Sequence, residues 1–413
     1  MRRVEILLLL TLTCLSTLGR AHCQTIGQPL PAWTEGTLDI HQINTGRGNA
    51  AFFILPDGTT LLVDAGALGA RTERHVAPRP DDSRSAGEWI ARYIKHFHPK
   101  GEAAALDYAF LTHFHDDHMG GITANSKSSS LGPYKLAGIT EVAELVPIRS
   151  MIDRGWPDYD YPAPQKGATI ENYRAFLSWQ QAHRGMQVDR LHPGRNDQIR
   201  LVNSPEKYPG FEVRGIMANG EVWTGVGTET RHHFPPQADV RPEDRPAENP
   251  CSAGFRLSYG AFDYYTGGDI TGIPEPGAPP WHDVETPVAK AVGPVEVSLL
   301  NHHGYIDAEN LFFVSTLRPR VWILPVWDSA HPTPAVYNRL RSKGSYPGPR
   351  DLFMTNMHPA NRVVTNGLDQ VASHQGHILI RVSPGGAGYQ VIILDDSGEA
   401  YQVKAVHGPF EAR

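Results

Sequence analysis

Thr112-His113-Phe114-His115-Asp116-Asp117-His118-Met119-Gly120-Gly121 is the stretch on which the reading of this chain turns. The apolar run from Leu106 to Leu111 just before it predicts a short strand that delivers the cluster at its C-terminal end. Residues two apart on an extended chain point the same way, so His113 and His115 can face one metal ion. Asp117 and His118 follow as the chain turns and can face a second ion nearby. Imidazole with carboxylate suits Zn²⁺, with Mn²⁺ or Fe²⁺ as the other candidates. Met119-Gly120-Gly121 lets the backbone turn away tightly and start a helix. The competing reading is a polar loop that is His-rich by chance, since the chain holds 20 His. Four ligand-type residues packed into His113–His118, directly after an apolar strand, weigh against it.

Two ions need a carboxylate between them and further ligands. Asp269, in Thr266-Gly267-Gly268-Asp269, follows a predicted strand and two glycines that permit close backbone approach. His302-His303-Gly304 follows the apolar run Val295 to Leu300 and fits the last ligand position. One of the two histidines is expected to bind metal, and the other to orient a ligand or touch substrate. His303, with glycine after it, is the preferred ligand.

Outward from these clusters, Thr37 to Ile43, Ala51 to Leu55 and Thr60 to Val63 read as strands, the last two joined by the turn Pro56-Asp57-Gly58. Ser85 to His96 has helical spacing, with Trp89, Ile90, Tyr93 and Ile94 on one stripe. From about Ile122 to Asn203 the chain is rich in aromatic, Pro and polar residues, with a helix near Glu171 to His183. This segment reads as an insertion or lid. Phe211 to Met217 resumes as a strand, and Thr224 to Pro250 is a Pro-rich charged loop. Phe255 to Tyr259 and Phe262 to Tyr265 form a hairpin. Val321 to Pro325 is a strand, Pro334 to Ser342 a helix, and Ile378 to Val382 with Tyr389 to Leu394 a closing hairpin. The order predicts an α/β (α+β) chain with two sheets covered by helices, and every special cluster sits just after a strand.

The bulk numbers leave this reading open and close others. The chain has 413 residues, 40% hydrophobic and 20% charged, which is a globular balance. A net charge of −6 gives no general attraction to nucleic acid, and no basic stripe supports it as a substrate. Met1-Arg2-Arg3, the apolar run Ile6 to Leu18 and Ala21-His22-Cys23 predict a signal peptide over residues 1–23, hence a secreted or periplasmic protein. No other segment is apolar enough to span a bilayer. Of the three cysteines, cleavage near Gln24 leaves Cys251 alone, expected as a buried small hydrophobe.

HFHDDHMGG resembles the HxHxDH motif of the metallo-β-lactamase superfamily, and Asp64 in LLVDAG, Asp269 in TGGD and NHHG follow that family's order. Within it the chain looks most like the extracytoplasmic hydrolase domain of ComEC-type competence proteins and free-standing relatives such as phosphorylcholine esterases. The likeness rests on Asp39 to Gly66, on ENPCSAGFRLSYG before TGGD, on NHHGY, and on Ala330-His331-Pro332-Thr333-Pro334. It implies an αββα four-layer sandwich, a single domain over about 30–405 with the insertion at about 122–203. It also implies a dinuclear site held by His113, His115, Asp117, His118, Asp269 and His303 or His302. The chemistry implied is hydrolysis, by a hydroxide that two divalent cations activate, of a phosphoester substrate. A lactone, lactam or thioester is the alternative substrate, and a non-catalytic binding protein on the same fold the alternative function.

By the same resemblance, Asp117 orients the nucleophile, Asp64 anchors the loop beneath the site, and His302, His331 and Tyr305 are the candidate proton donors. Two departures stand out. The superfamily's third His for the first metal is missing, and Asn249 lies in its place. His232 and His233 can substitute only if their loop folds back. Tyr305 stands where the relatives carry Ser. Trp156, Tyr159, Tyr161 and Trp179 either stack on substrate or pack the insertion, with packing favoured. Lys127 and Arg154 are candidate phosphate contacts.

Overall fold

Pro56-Asp57-Gly58 makes the tight turn its composition predicts: Gly58 takes φ 81°, and Asp57 Oδ1 accepts the Thr59 N–H at 2.9 Å. In the computed structural model, which describes residues 24–413, this turn joins two strands of the first sheet. The predicted signal peptide lies outside the described residues. That sheet starts as an antiparallel meander of β1 (Leu38–Gln42), β2 (Ala51–Ile54) and β3 (Thr60–Val63). Helix α1 (Ala86–Phe97) follows. Ser85 caps it by accepting the Glu88 N–H, and Trp89, Ile90, Tyr93 and Ile94 are buried as one stripe. Burying a side chain such as Ile90 or Ile94 contributes about 1.5–3 kcal/mol.

The chain then turns parallel. β4 (Leu106–Phe110) leads through α2 (Asp116–Met119) and α3 (Ile139–Leu145) to β5 (Ile148–Asp153), and α4 (Ala168–Arg184) leads to β6 (Gln187–Arg190). β4, β5 and β6 are parallel neighbours in the first sheet. This corrects the expected insertion at 122–203. The segment extends the sheet by two strands and covers it with α3 and α4, so it is no lid. Neither strand announces itself: β6 is the polar edge tetrad QVDR, and in β5 the polar pair Arg149-Ser150 follows Ile148, with Arg149 exposed.

The second sheet holds β7 (Phe211–Ala218), β8 (Glu221–Trp223), β9 (Thr230–His232), β10 (Gly254–Tyr259) and β11 (Phe262–Thr266), paired antiparallel. It continues in parallel through α5 (Glu285–Val292), β12 (Val297–Leu299), α6 (Leu311–Leu317), β13 (Val321–Leu324), α7 (Pro334–Arg341) and β14 (Asp351–Met354). After α8 (Pro359–Val364), the strands β15 (His377–Val382), β16 (Gly388–Leu394) and β17 (Val403–Glu411) return to the first sheet beside β1. β17 was not anticipated, because after Val403 its residues are half-exposed or exposed with no clean alternation.

The described residues therefore form a mixed α/β structure with two mixed sheets and eight α-helices. Phe53, Leu61 and Phe110 from the first sheet share a core with Phe255, Tyr264 and Val297 from the second. Ile90, Val142 and Phe176 of α1, α3 and α4 pack on the other face of the first sheet, and Val288, Phe313 and Tyr337 of α5, α6 and α7 on that of the second. Among the described residues no helix is long and apolar enough to cross a membrane. Cys251 is free and buried, as expected.

One buried acid pair closes the loop between β12 and α6. Glu285, in the first turn of α5, accepts Asn301 Nδ2–H at 2.8 Å and the N–H groups of Glu309 and Asn310, each at 2.6 Å. Glu309 Oε1 accepts the Asn301 N–H at 2.8 Å, while its Oε2 has no partner. Both ends of the loop 301–310 are thus tied to one carboxyl. Burial raises the pKa of both acids, that of Glu285 from 4.5 to about 8, and the Glu285 charge adds to the rise at Glu309. A carboxyl whose pKa is raised on folding stabilises the fold below its unfolded value, and that stability is lost as pH rises through the folded value. Stability from the pair therefore falls up to and through about pH 8. Glu309→Gln, which keeps a neutral side chain there at every pH, is expected to flatten this decline. Urea midpoints of both proteins from about pH 7 to 9 measure it, with a slope difference of up to about 1.4 kcal/mol per pH unit. Parallel slopes would refute the assignment.

Candidate metal centre

Five strands bring the candidate residues together. Asp64 follows the end of β3, His113 that of β4, Asp269 that of β11, His303 that of β12 and Trp327 that of β13. Asp64 lies underneath. Its carboxylate accepts the Thr112 N–H at 2.8 Å, Thr112 Oγ1–H at 2.9 Å and Asn49 Nδ2–H at 2.9 Å. It also meets His118 Nδ1 at 2.7 Å. Asp64 has φ 58°, a left-handed conformation that costs about 1–3 kcal/mol and that these four contacts hold in place. Gly48 and Gly66 let the neighbouring loops close on Asp117, since a Cβ on either would lie 2.2 Å or 2.0 Å from the Asp117 carbonyl oxygen.

Two groups of ligand-type side chains result, and each could hold a metal ion. Asp117, His118, Asp269 and His303 form one, and His113, His115 and Asp269 the other, with the ligand atoms of each group within 4.8 Å of one another. All are buried except His115, which is exposed. His118 Nε2 lies 3.1 Å from Asp269 Oδ1 and 3.1 Å from His303 Nε2. His303 Nε2 lies 3.0 Å from Asp117 Oδ2. On the other side, His113 Nε2 is 3.2 Å from His115 Nδ1 and 3.7 Å from Asp269 Oδ2.

The chemistry of these donors fits a divalent cation. His303 Nδ1–H donates to the Pro325 carbonyl at 2.9 Å, and His118 Nδ1–H to Asp64. With the far nitrogen of each ring held in this way, the two Nε2 atoms face each other with two carboxylates beside them. Against burial, Asp269, Asp64 and Asp117 raise the His118 pKa, so a proton balances these carboxylates where a divalent cation could take its place. Tetrahedral zinc with Zn–N bonds near 2.0–2.1 Å places its ligand atoms about 3.3 Å apart, close to the spacing here. Burial opposes charge on Asp117 and Asp269, but His118 and His303 hold both carboxyls below the usual range. Burial likewise pushes His113 and His331 toward the neutral form in which imidazole binds metals.

His302 is corrected: it joins neither group. His302 and His303 both take positive φ, 43° and 51°, and this turn sends their rings 6.5 Å apart. His302 Nδ1 meets Asp307 Oδ1 at 2.7 Å and its Nε2 meets Asn249 Nδ2 at 3.1 Å. His331 stacks on His303 at 4.9 Å between centroids, and Tyr305 packs 5.2 Å from His302. His232 and His233 stay with β9 and its end, outside both groups.

Arg154 is also corrected as a phosphate contact. It is 1% exposed, and it spends its guanidinium on Glu248, on Asn219 Oδ1 at 2.8 Å and on the Tyr161 carbonyl at 3.1 Å. Lys127 lines a cleft with Glu141 and Trp89, which none of the clustered ligands lines. The aromatics of 122–203 pack rather than stack on a ligand: Tyr159 is buried with its hydroxyl on Asp153, and Trp179 lies flat on His183. Sequence reasoning missed Glu248, which accepts the Phe114 N–H at 2.8 Å, and Trp327, whose Nε1–H points at His303 Nε2 at 3.3 Å. Trp327 could have been found, since it too follows an apolar strand; nothing local marks Glu248.

Compared with known proteins, the chain matches no family model and no curated sequence.

Proposed function

We propose that this protein is a metal-dependent hydrolase on an αββα four-layer sandwich of the metallo-β-lactamase type, with two divalent ions, zinc in first place, and a phosphoester as substrate. The observation that carries the reading is the Asp269 carboxylate, which belongs to both ligand groups at once. When bound, the cations supply Lewis acidity toward water and toward the phosphoryl or carbonyl oxygen of the substrate. The chain supplies the rest. Asp64 and Pro325 hold the protons of His118 and His303 on their far nitrogens, so the near nitrogens stay free to ligate. Asp117 orients the nucleophile from the wall of the site. Tyr305, half-buried beside His302, is the candidate proton donor to the leaving group. The N-terminal signal pattern supports action in the periplasm or outside the cell.

Metal content of the purified protein by mass spectrometry tests this, together with turnover of bis(p-nitrophenyl) phosphate, a chromogenic lactam and a lactone. Near two ions per chain with diester cleavage is the expected result. Metal with lactam or lactone turnover alone moves the substrate to a carbon centre. No metal after repletion, and no turnover, leaves a binding protein and overturns the proposal.

A further inference from the structure

We infer that Trp327 contacts the substrate, its indole N–H donating to the phosphoryl oxygen that takes up charge during hydrolysis; this rests on the metal-centre reading above. Trp327 follows β13 and borders the group of Asp117, His118, Asp269 and His303. Its Nε1–H is aimed at His303 Nε2 at 3.3 Å. On that nitrogen the group converges: it lies 3.0 Å from Asp117 Oδ2 and 3.1 Å from His118 Nε2. An indole has one N–H and accepts nothing, so Trp327 has a single hydrogen bond to place. Among the described residues His303 Nε2 is the one acceptor it meets.

That acceptor is lost once the group ligates. The Pro325 carbonyl takes the His303 Nδ1 proton at 2.9 Å, so Nε2 is the nitrogen left for a cation. It has one lone pair, and a nitrogen that ligates accepts no hydrogen bond. A protonated Nε2 accepts none either, so the conclusion does not turn on the charge of His303. Nor is the indole free to swing to another partner. Its ring packs edge-on against His75 and His331, with centroids 5.4 Å and 4.8 Å away, and the Trp327 carbonyl accepts the Val76 N–H at 3.0 Å. Trp327 is half-buried, so a ligand can approach it. A fixed donor beside the ligand cluster, left without an acceptor when His303 ligates, is suited to the charge that develops on a phosphoryl oxygen. A phosphodiester and inorganic phosphate present that same oxygen chemistry.

Proton–nitrogen correlation NMR of the ¹⁵N-labelled protein reads this without recourse to turnover. The chain has 8 Trp, and the indole cross-peak missing from Trp327→Phe or Trp327→Gln identifies this one. Inorganic phosphate added to the zinc-loaded protein is expected to move that cross-peak, and to leave it in place in the metal-free protein. Calorimetry completes the test. Trp327→Phe should keep its zinc affinity and bind phosphate about 10-fold or more weakly, as the loss of a hydrogen bond to a charged group requires. Trp327→Gln, which keeps an N–H donor, should recover part of that loss. Phosphate binding to the zinc-loaded protein with the cross-peak unmoved, or with equal affinity in Trp327→Phe, overturns the Trp327 assignment and leaves the metal centre standing. Zinc uptake without any phosphate binding overturns the assignment as well. A protein that takes up no zinc overturns the metal centre, and the assignment with it.

Discussion

Asp269→Ala is expected to lower kcat on a diester substrate by at least about 10³-fold, the upper end of what the loss of one preorganised electrostatic contact costs. The reason is topological. Asp269 Oδ1 lies 3.1 Å from His118 Nε2, and Oδ2 lies 3.7 Å from both His113 Nε2 and His303 Nε2. Every other ligand serves one group, whereas this carboxylate serves both. Its removal also leaves His118, His113 and His303 converging with one carboxylate fewer, so metal affinity falls with turnover. His115→Ala touches a single group at its exposed edge and should cost less. Steady-state kinetics with metal analysis of both variants decides the matter. An Asp269→Ala protein that keeps its metal and its rate would sink the shared-ligand reading.

Arg154→Ala is expected to destabilise the fold by about 3–5 kcal/mol, the usual result of removing one partner of a buried ion pair. Arg154 is 1% exposed and meets Glu248 through both Nε and Nη2. Without it, Glu248 is left as a largely buried charge, and Asn219 and the Tyr161 carbonyl lose a donor. The guanidinium also lies 4.5 Å over the ring of Phe114, which stands between His113 and His115 in the chain. Arg154→Lys should rescue little, because an ammonium cannot make the paired contact. The measurement is the urea midpoint at constant m-value. A shift under about 0.5 kcal/mol, the size of an ordinary surface substitution, would show that the pair contributes little.

Much of the site was legible because ligand-type residues advertise themselves in one dimension. His113, His115, Asp117 and His118 lie within six positions after an apolar run, and Asp269 and His303 each follow a strand of their own. The residues that support them do not. Arg154 and Glu248 are 94 positions apart, and neither is unusual in its own segment. The segment 122–203 was misjudged for a related reason. Its strands β5 and β6 are short and partly exposed, and only pairing with β4 makes them strands.

Local spacing by itself determined the strand before the histidines, the capped helix α1, the Pro56-Asp57-Gly58 turn and the kinds of donor available for a metal. These depend on neighbours within a few positions, where steric and hydrogen-bonding rules act directly on the chain. Tertiary structure alone decided which histidine of His302-His303 faces Asp117, that Arg154 braces the site instead of meeting a ligand, and that one carboxylate joins both groups. Each of those outcomes depends on where a loop is tied at its far end: by Glu285 to Asn301 and Asn310, by Glu248 to Phe114, by Asp307 to His302. Such ties form between residues distant in sequence, so no local pattern carries them, and they exist only once the two sheets have packed.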